Sequence, residues 1–422
     1  MIQKEFFLIS FAILISIGAY AQHGSSPETK QNYIDQSKPN EIEQVKFKHF
    51  TISGYIQTQF QYGEKDATLR IGAINNNPNK PFNRFGIRRG RVKMTYEKNI
   101  ATGVFQLDIT EKKIRLRDAY LLVKDPWVGS NSIRVGVFDR IFGFEVPFSS
   151  SRRESPERAR IITTLFPDEK DMGVMMTLQA PKNSPLSIFK LDAGLIAGNT
   201  INADLDNRKD FIGHLSINQT LNPKTKLSGG VSYYLGGVYQ GSSTVYTMNG
   251  VAFTSNYDTS NFGAFAKREY IGCDIQFSIS SFLGNSSIYG EYIIGTQPGD
   301  KNGSNSPNYS TLPTHNTYIR NFYGYYITYV QDLGKSPLSL IIKYDYYDPN
   351  TKVSKNNIGL NGTGKGDIAY STFGGGLMWH INNTLRLTAY YDFISNETSS
   401  NLAEYNNDFA DNIFTLRLQY KY

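Results

Sequence analysis

Arg89, Arg91 and Lys93 stand two residues apart, with Val92, Met94 and Tyr96 on the alternate positions. In an extended chain successive side chains point to opposite faces, so the three cations share one face and the apolar residues the other. Arg115 and Arg117 share a parity with Lys113. Arg134 shares its parity with Gly136 and Arg140, opposite Ile133, Val135 and Val137. Arg386, Arg417 and Lys421 extend the set near the end of the chain. The chemistry open to such a set is electrostatic rather than covalent. A guanidinium fork can hold an oxyanion bidentately. A ladder of weak cationic sites in a narrow aqueous passage concentrates anions and still lets them leave. Asp108, Asp118, Asp345 and Asp392 are expected as lumen carboxylates, Asp118 beside Arg117, and would offset part of that charge.

Segment 140–170 carries a second concentration of charge. Arg140, Arg152, Arg153, Arg158 and Arg160 stand against Glu145, Glu154, Glu157, Asp168 and Glu169. At 31 residues the segment is too long for an idle turn. It is expected to fold inward and narrow a passage, with some of its arginines at the constriction. The alternative is an outer loop whose charges face solvent or lipopolysaccharide.

Other chemistry finds little support. His23, His49, His214, His315 and His380 lack close metal-ligand spacing, and Cys273 is the single cysteine. No metal site and no cofactor is expected. His214 and His380 read as wall or hydrogen-bonding residues. Gly374-Gly375-Gly376 is followed by no Lys-Ser/Thr and no helix pattern, so it reads as a place where walls need room rather than a phosphate loop. No Ser-His-Asp arrangement stands out, and no enzyme activity is expected.

The elements that must position the charges are short strands. In the last segment Phe414, Leu416, Leu418, Tyr420 and Tyr422 alternate with Thr415, Arg417, Gln419 and Lys421. Leu385, Leu387, Ala389, Tyr391 and Phe393 alternate with Arg386, Thr388 and Asp392 in the segment before it. Such segments recur about 16 times, the size at which a closed barrel leaves an aqueous channel. Their expected spans are 50–62, 85–98, 101–110, 114–124, 132–139, 171–180, 187–198, 210–220, 225–236, 264–280, 285–297, 318–332, 337–347, 368–381, 384–395 and 411–422. Connections alternate short and long, the short ones rich in Asn, Gly and Pro, although two on the long side, near 111–113 and 199–209, are brief. That is the arrangement of a transmembrane antiparallel β-barrel with short periplasmic turns and long external loops. A soluble sandwich gives no reason for it. The terminal aromatic Tyr422 resembles the signal by which bacterial outer-membrane barrels are recognised for assembly.

The start of the chain fits export. Lys4 precedes an apolar run from Phe6 to Ile17, and Ala19-Tyr20-Ala21 supplies a cleavage site after Ala21. Residues 22–48 read as a flexible periplasmic extension with a short helix near 41–45, and 49–422 as the barrel. No later apolar run approaches the roughly 20 residues of a membrane helix. Tyr (29), Phe (26) and Gly (37) are abundant. Mean hydropathy is nonetheless negative, because alternation hides the apolar half. The net charge of +7 would suit lipid, nucleic acid or small anions. Its strand parity and the export signal argue against nucleic acid.

Stretch 84–171, about a fifth of the chain, resembles the phosphate-selective porin O and P family. The residues carrying the resemblance are Arg84-Phe85-Gly86-Ile87-Arg88-Arg89-Gly90-Arg91, Gln106-Leu107-Asp108 and Arg117-Asp118-Ala119-Tyr120-Leu121, then Arg134-Val135-Gly136-Val137-Phe138-Asp139-Arg140 with Phe142-Gly143-Phe144-Glu145. Arg152-Arg153-Glu154-Ser155-Pro156-Glu157-Arg158, Phe166-Pro167-Asp168 and Asp171-Met172-Gly173-Val174 complete it. The resemblance implies a 16-stranded barrel, often a homotrimer, passing anions through a lumen lined by Arg and Lys. The function expected is passive diffusion of small hydrophilic solutes, anions preferred and phosphate among them, across the outer membrane of a Gram-negative bacterium. The partners are outer-membrane lipid, lipopolysaccharide and small anionic solutes. A binding barrel or adhesin using loops 237–263 and 298–317, or an outer-membrane enzyme, are the alternatives that a conductance measurement separates.

Overall fold

The computed structural model describes residues 45–47 and 49–422. The leader, its cleavage site and residues 22–44 of the extension lie outside the described residues. Val45–Phe47 forms a short strand, β1, rather than the end of a helix. The chain then runs through β2 (Phe50–Gly63), β3 (Phe82–Lys98), β4 (Ala101–Ile109), β5 (Ile114–Lys124), β6 (Ser132–Asp139), helix α1 (Arg160–Leu165) and β7 (Lys170–Gln179). It continues through β8 (Phe189–Ile196), β9 (Asp210–Asn222), β10 (Thr225–Tyr239), β11 (Thr244–Asn249), β12 (Ala252–Tyr257) and β13 (Phe265–Ser281). The remainder is β14 (Gly284–Gly299), β15 (Thr317–Asp332), β16 (Leu338–Asp348), β17 (Tyr370–His380), β18 (Leu385–Asn396) and β19 (Ile413–Lys421).

All strands but β1, β11 and β12 form one closed antiparallel ring of 16. Each pairs with its neighbour in sequence, β10 pairs with β13, and β19 returns to β2. Closure leaves no unpaired edge in the ring. The expected spans agree with these strands to within three residues at either end. The long connections all leave one end of the barrel, which the brief 110–113 connection shares, and the other end carries only short ones. The 240–264 connection holds the hairpin β11–β12, whose first strand runs parallel to the start of β15.

Burial is inverted relative to a soluble protein. On β19 Thr415, Arg417 and Gln419 face inward and are buried, while Leu418 and Tyr420 are 40% and 47% exposed. Ile271 and Ile275 on β13 are likewise exposed, while Arg268 and Asp274 on the alternate positions are buried. An apolar outer surface around a polar interior is stable only where the outside is lipid.

Candidate functional site

Two β-bulges shape the wall that carries the arginines. The β2–β3 register shifts between Gln57 and Thr58, so that Arg89 opposes Gln57 while Ile87 opposes Thr58. The extra residue is Arg88, and its side chain joins that of Arg89 on the inner face. The β4–β5 register shifts between Gln106 and Leu107, and there the extra residue is Arg117. A bulge breaks the two-residue period, so two consecutive long side chains can enter the lumen.

Connection 140–169 meets the inner face of many strands. One side of it is apolar. Phe142, Val146, Ile161, Ile162, Leu165 and Phe166 pack on inward-facing Met175, Ile196, Ile212, Tyr234, Tyr270, Ile293, Phe322, Tyr326 and Tyr347. Phe142 and Phe166 lie with ring centroids 4.9 Å apart, and Phe166 meets Tyr270 edge-on at 5.8 Å. Two wall glycines make room for this docking. A Cβ on Gly272 would lie 2.7 Å from the Phe142 ring, and one on Gly324 would lie 2.7 Å from Ile161 Cδ1.

The other side is held by charge. Glu157 receives both Nε and Nη2 of Arg88 at 2.8 Å, Nη2 of Arg89 at 3.2 Å and Nη2 of Arg417 at 2.8 Å. Glu169 pairs with Arg117 and Arg158. Burial alone would raise the Glu157 carboxyl, but Arg88, Arg89 and Arg417 outweigh it and hold the group well below the usual carboxylate range. Glu169 is held low in the same way by Arg158 and Arg117 against its burial. Further bonds run right around the ring. Gln57 Nε2 donates to Ser150 O at 3.0 Å, and Tyr289 Oη to Glu154 Oε2 at 2.7 Å. Lys343 Nζ donates to Glu145 Oε1 at 3.1 Å, and Arg386 Nη2 to Arg153 O at 2.8 Å.

These contacts sort the sequence candidates. Arg89, Arg91, Arg115, Arg117, Arg158 and Arg417 sit in ion pairs, Arg91 with Asp108 at 3.6 Å and Arg115 with Asp168 at 3.1 Å. Arg140, Arg153 and Arg158 donate to carbonyls of the loop itself, those of Pro167, Pro156 and Val146 among them. They staple the loop's own fold. Arg134 lies over the Tyr120 ring at 4.7 Å, Arg152 over Phe148 at 5.5 Å and Arg160 over Tyr370 at 4.0 Å. Lys93, Arg134, Arg152, Arg160 and Arg386 make no ion pair among the described residues. His214 bonds Asp274 at 2.9 Å and His380 bonds Ser339 at 3.2 Å.

Sequence reading missed Arg88, whose parity placed it outside. It also passed over Lys343, although Lys343 shares the parity of Asp345. Arg70 was missed because it belongs to a long connection. That connection turns back into the barrel mouth, where the Arg70 backbone N–H donates to Gln61 Oε1 at 2.8 Å.

No family model matches the chain, and no curated protein matches it by sequence. Solved structures do. The outer-membrane channel DcaP of Acinetobacter baumannii is 10% identical, with 88% of this chain and 97% of that one covered and a TM-score of 0.52. OprB of Pseudomonas putida, in its high-pH structure, is 10% identical over 88% of this chain and 94% of that one, with a TM-score of 0.53. The trimer form of the outer-membrane protein OmpT of Vibrio cholerae is 11% identical over 88% and 99%, with a TM-score of 0.51. At such identity the likeness speaks to fold, and the fold is that of the outer-membrane porin-like barrels.

Proposed function

We propose that the protein is a passive channel for small hydrophilic solutes in the outer membrane, narrowed by connection 140–169. The observation that carries this reading is a ring of polar, inward-facing side chains, inside an apolar shell, to which that one long loop is bonded from several sides. In this reading Arg88, Arg89, Arg117 and Arg417 chiefly hold the constriction in place, while Arg91 is paired with Asp108 on the wall. Lys93, Arg134, Arg152, Arg160 and Arg386 supply the uncompensated positive charge. The resulting preference for anions, phosphate included, is modest, because so many of the arginines already face carboxylates. Residues 1–21 are a leader removed at export, and the barrel sits as a homotrimer among lipid and lipopolysaccharide. The trimer form of the OmpT neighbour supports that assembly by analogy of fold alone.

The test is single-channel conductance and reversal potential of the purified protein in a planar bilayer under a KCl gradient. The reading expects discrete channels and a small reversal potential of anion-selective sign. It also expects larger conductance when residues 150–158 are deleted. A barrel that conducts no ions in either form overturns it.

A further inference from the structure

Asp392 on β18 and Asp345 on β16 face inward on either side of β17, at the register positions of Gly374 and Thr372. Asp392 makes no hydrogen bond or ion pair among the described residues and is partly exposed. Over Gly374, beside Asp392, lies the hydroxyl of Tyr390, a residue 2% exposed, and that hydroxyl has no hydrogen-bond partner among the described residues. That hydroxyl rests where a Cβ on Gly374 would stand, and the charges it feels are those of Asp392, Asp345 and Glu145. Gly374 is thus the room in the wall that lets the phenol reach the acid pair. The nearest cation, Lys343, is committed elsewhere, donating to Glu145 Oε1 at 3.1 Å and Glu157 O at 3.3 Å.

Facing this corner are cations from other elements. Asp392 feels Arg70 as well as Lys343, Asp345 and Glu157. Asp345 feels Arg160, whose backbone N–H reaches Asp345 Oδ1 at 3.3 Å. Arg70 is exposed, and its guanidinium makes no hydrogen bond among the described residues. Arg88 lies near Arg70 but is bound to Glu157. The barrel mouth therefore holds an acid corner with a spare hydroxyl opposite a spare guanidinium.

We propose that Asp392, backed by the buried Asp345 carboxylate and Tyr390 hydroxyl, forms an ammonium subsite, paired with Arg70 as a carboxylate subsite, for small zwitterions that carry both groups. The inference rests on the channel reading and names its solute class. An ammonium offers three donors and no acceptor, which suits the partly exposed Asp392 carboxylate, with the buried Asp345 adding negative charge behind it. A guanidinium fork suits the carboxylate end. Two weak contacts on one molecule retain it longer than either alone, yet leave it free to pass.

Block of single-channel current at low salt tests this with three probes of similar size. Glycylglycine carries both ends, N-acetylglycylglycine lacks the ammonium and glycylglycinamide lacks the carboxylate. The expected half-blocking concentration of glycylglycine is about tenfold below that of either analogue, the factor that a single charge-assisted hydrogen bond supplies. Asp392→Asn should bring glycylglycine to the level of N-acetylglycylglycine. Arg70→Gln should bring it to the level of glycylglycinamide. Equal block by all three probes in the unaltered protein overturns the inference, as does unaltered glycylglycine block in the Asn variant. Either result in a conducting barrel leaves the channel reading standing, whereas failure to conduct at all overturns the channel reading itself.

Discussion

On one side of the lumen, Tyr234, Tyr270, Phe322, Tyr326 and Tyr347 present rings to connection 140–169. On the other, Arg88, Arg89, Arg117 and Arg417 present guanidinium groups to two of its glutamates, Glu157 and Glu169. The first wall holds the loop by burial, a non-directional attraction that salt and pH scarcely alter. The second holds it by charge, which fixes register and responds to protonation. A loop anchored both ways has an apolar side that sets how firmly it docks and a charged side that sets where its backbone lies.

The apolar wall should give the largest effect. Phe166→Ala removes a ring that is 1% exposed and should cost about 3 to 5 kcal/mol, read as a lower urea midpoint of the folded barrel. Glu157→Gln leaves three arginines without their shared carboxylate, at roughly 3 kcal/mol. It should raise conductance and its noise while the urea midpoint moves less than for Phe166→Ala. If the two variants behave alike in both measurements, the two walls do not differ in kind. Gly324→Val crowds both Ile161 Cδ1 and the Tyr346 carbonyl oxygen, 2.7 and 2.6 Å from the added Cβ, at a cost of about 1 to 3 kcal/mol, and should loosen the loop without touching any charge.

Acid should act chiefly on the charged wall, where Glu157 and Glu169 gather most of the guanidinium contacts. Glu157 and Glu169 are held below their ordinary range, so the stability they contribute is full above the unfolded pKa of about 4.3 and is lost only as pH falls through the lower folded value. Conductance should stay level from neutral pH to about 5 and rise only in stronger acid. A rise near neutrality would mean that other groups govern the loop. The smallest effect belongs to Arg115→Ala. Its pair with Asp168 is 40% and 35% exposed, and its removal should change loop docking by less than about 1 kcal/mol.

Much of this architecture was legible in the residues. Period-two alternation in segments such as 385–393 and 414–422 fixes which side chains face lipid, because a one-residue slip would turn Arg417 or Asp392 outward. That placed Arg89, Arg91, Arg386 and Arg417 on the inner face, and Asp345 and Asp392 beside them. The hairpin β11–β12 and the helix α1 were not legible, since both are short and lie within long connections without a sustained period of their own. The apolar half of connection 140–169 was also hidden. Phe142, Ile161, Ile162, Leu165 and Phe166 show no strict period, and the charges around them give the stronger signal.

The order of residues along the chain is thus enough to specify a closed sheet of alternating strands, the side of the wall on which nearly every charge sits, and which connection is long enough to cross the opening. Those properties are local, set by the two-residue period and by turn chemistry. The entry of Arg88 into the lumen beside Arg89 is a property of the folded barrel, since a bulge depends on the register of the partner strand rather than on the strand's own pattern. So is the choice of which carboxylate neutralises which arginine, and with it the fact that Asp392 and Arg70 are left over. Residues 157 and 417 lie 260 positions apart in the chain, and only closure of the ring brings their charges within 2.8 Å.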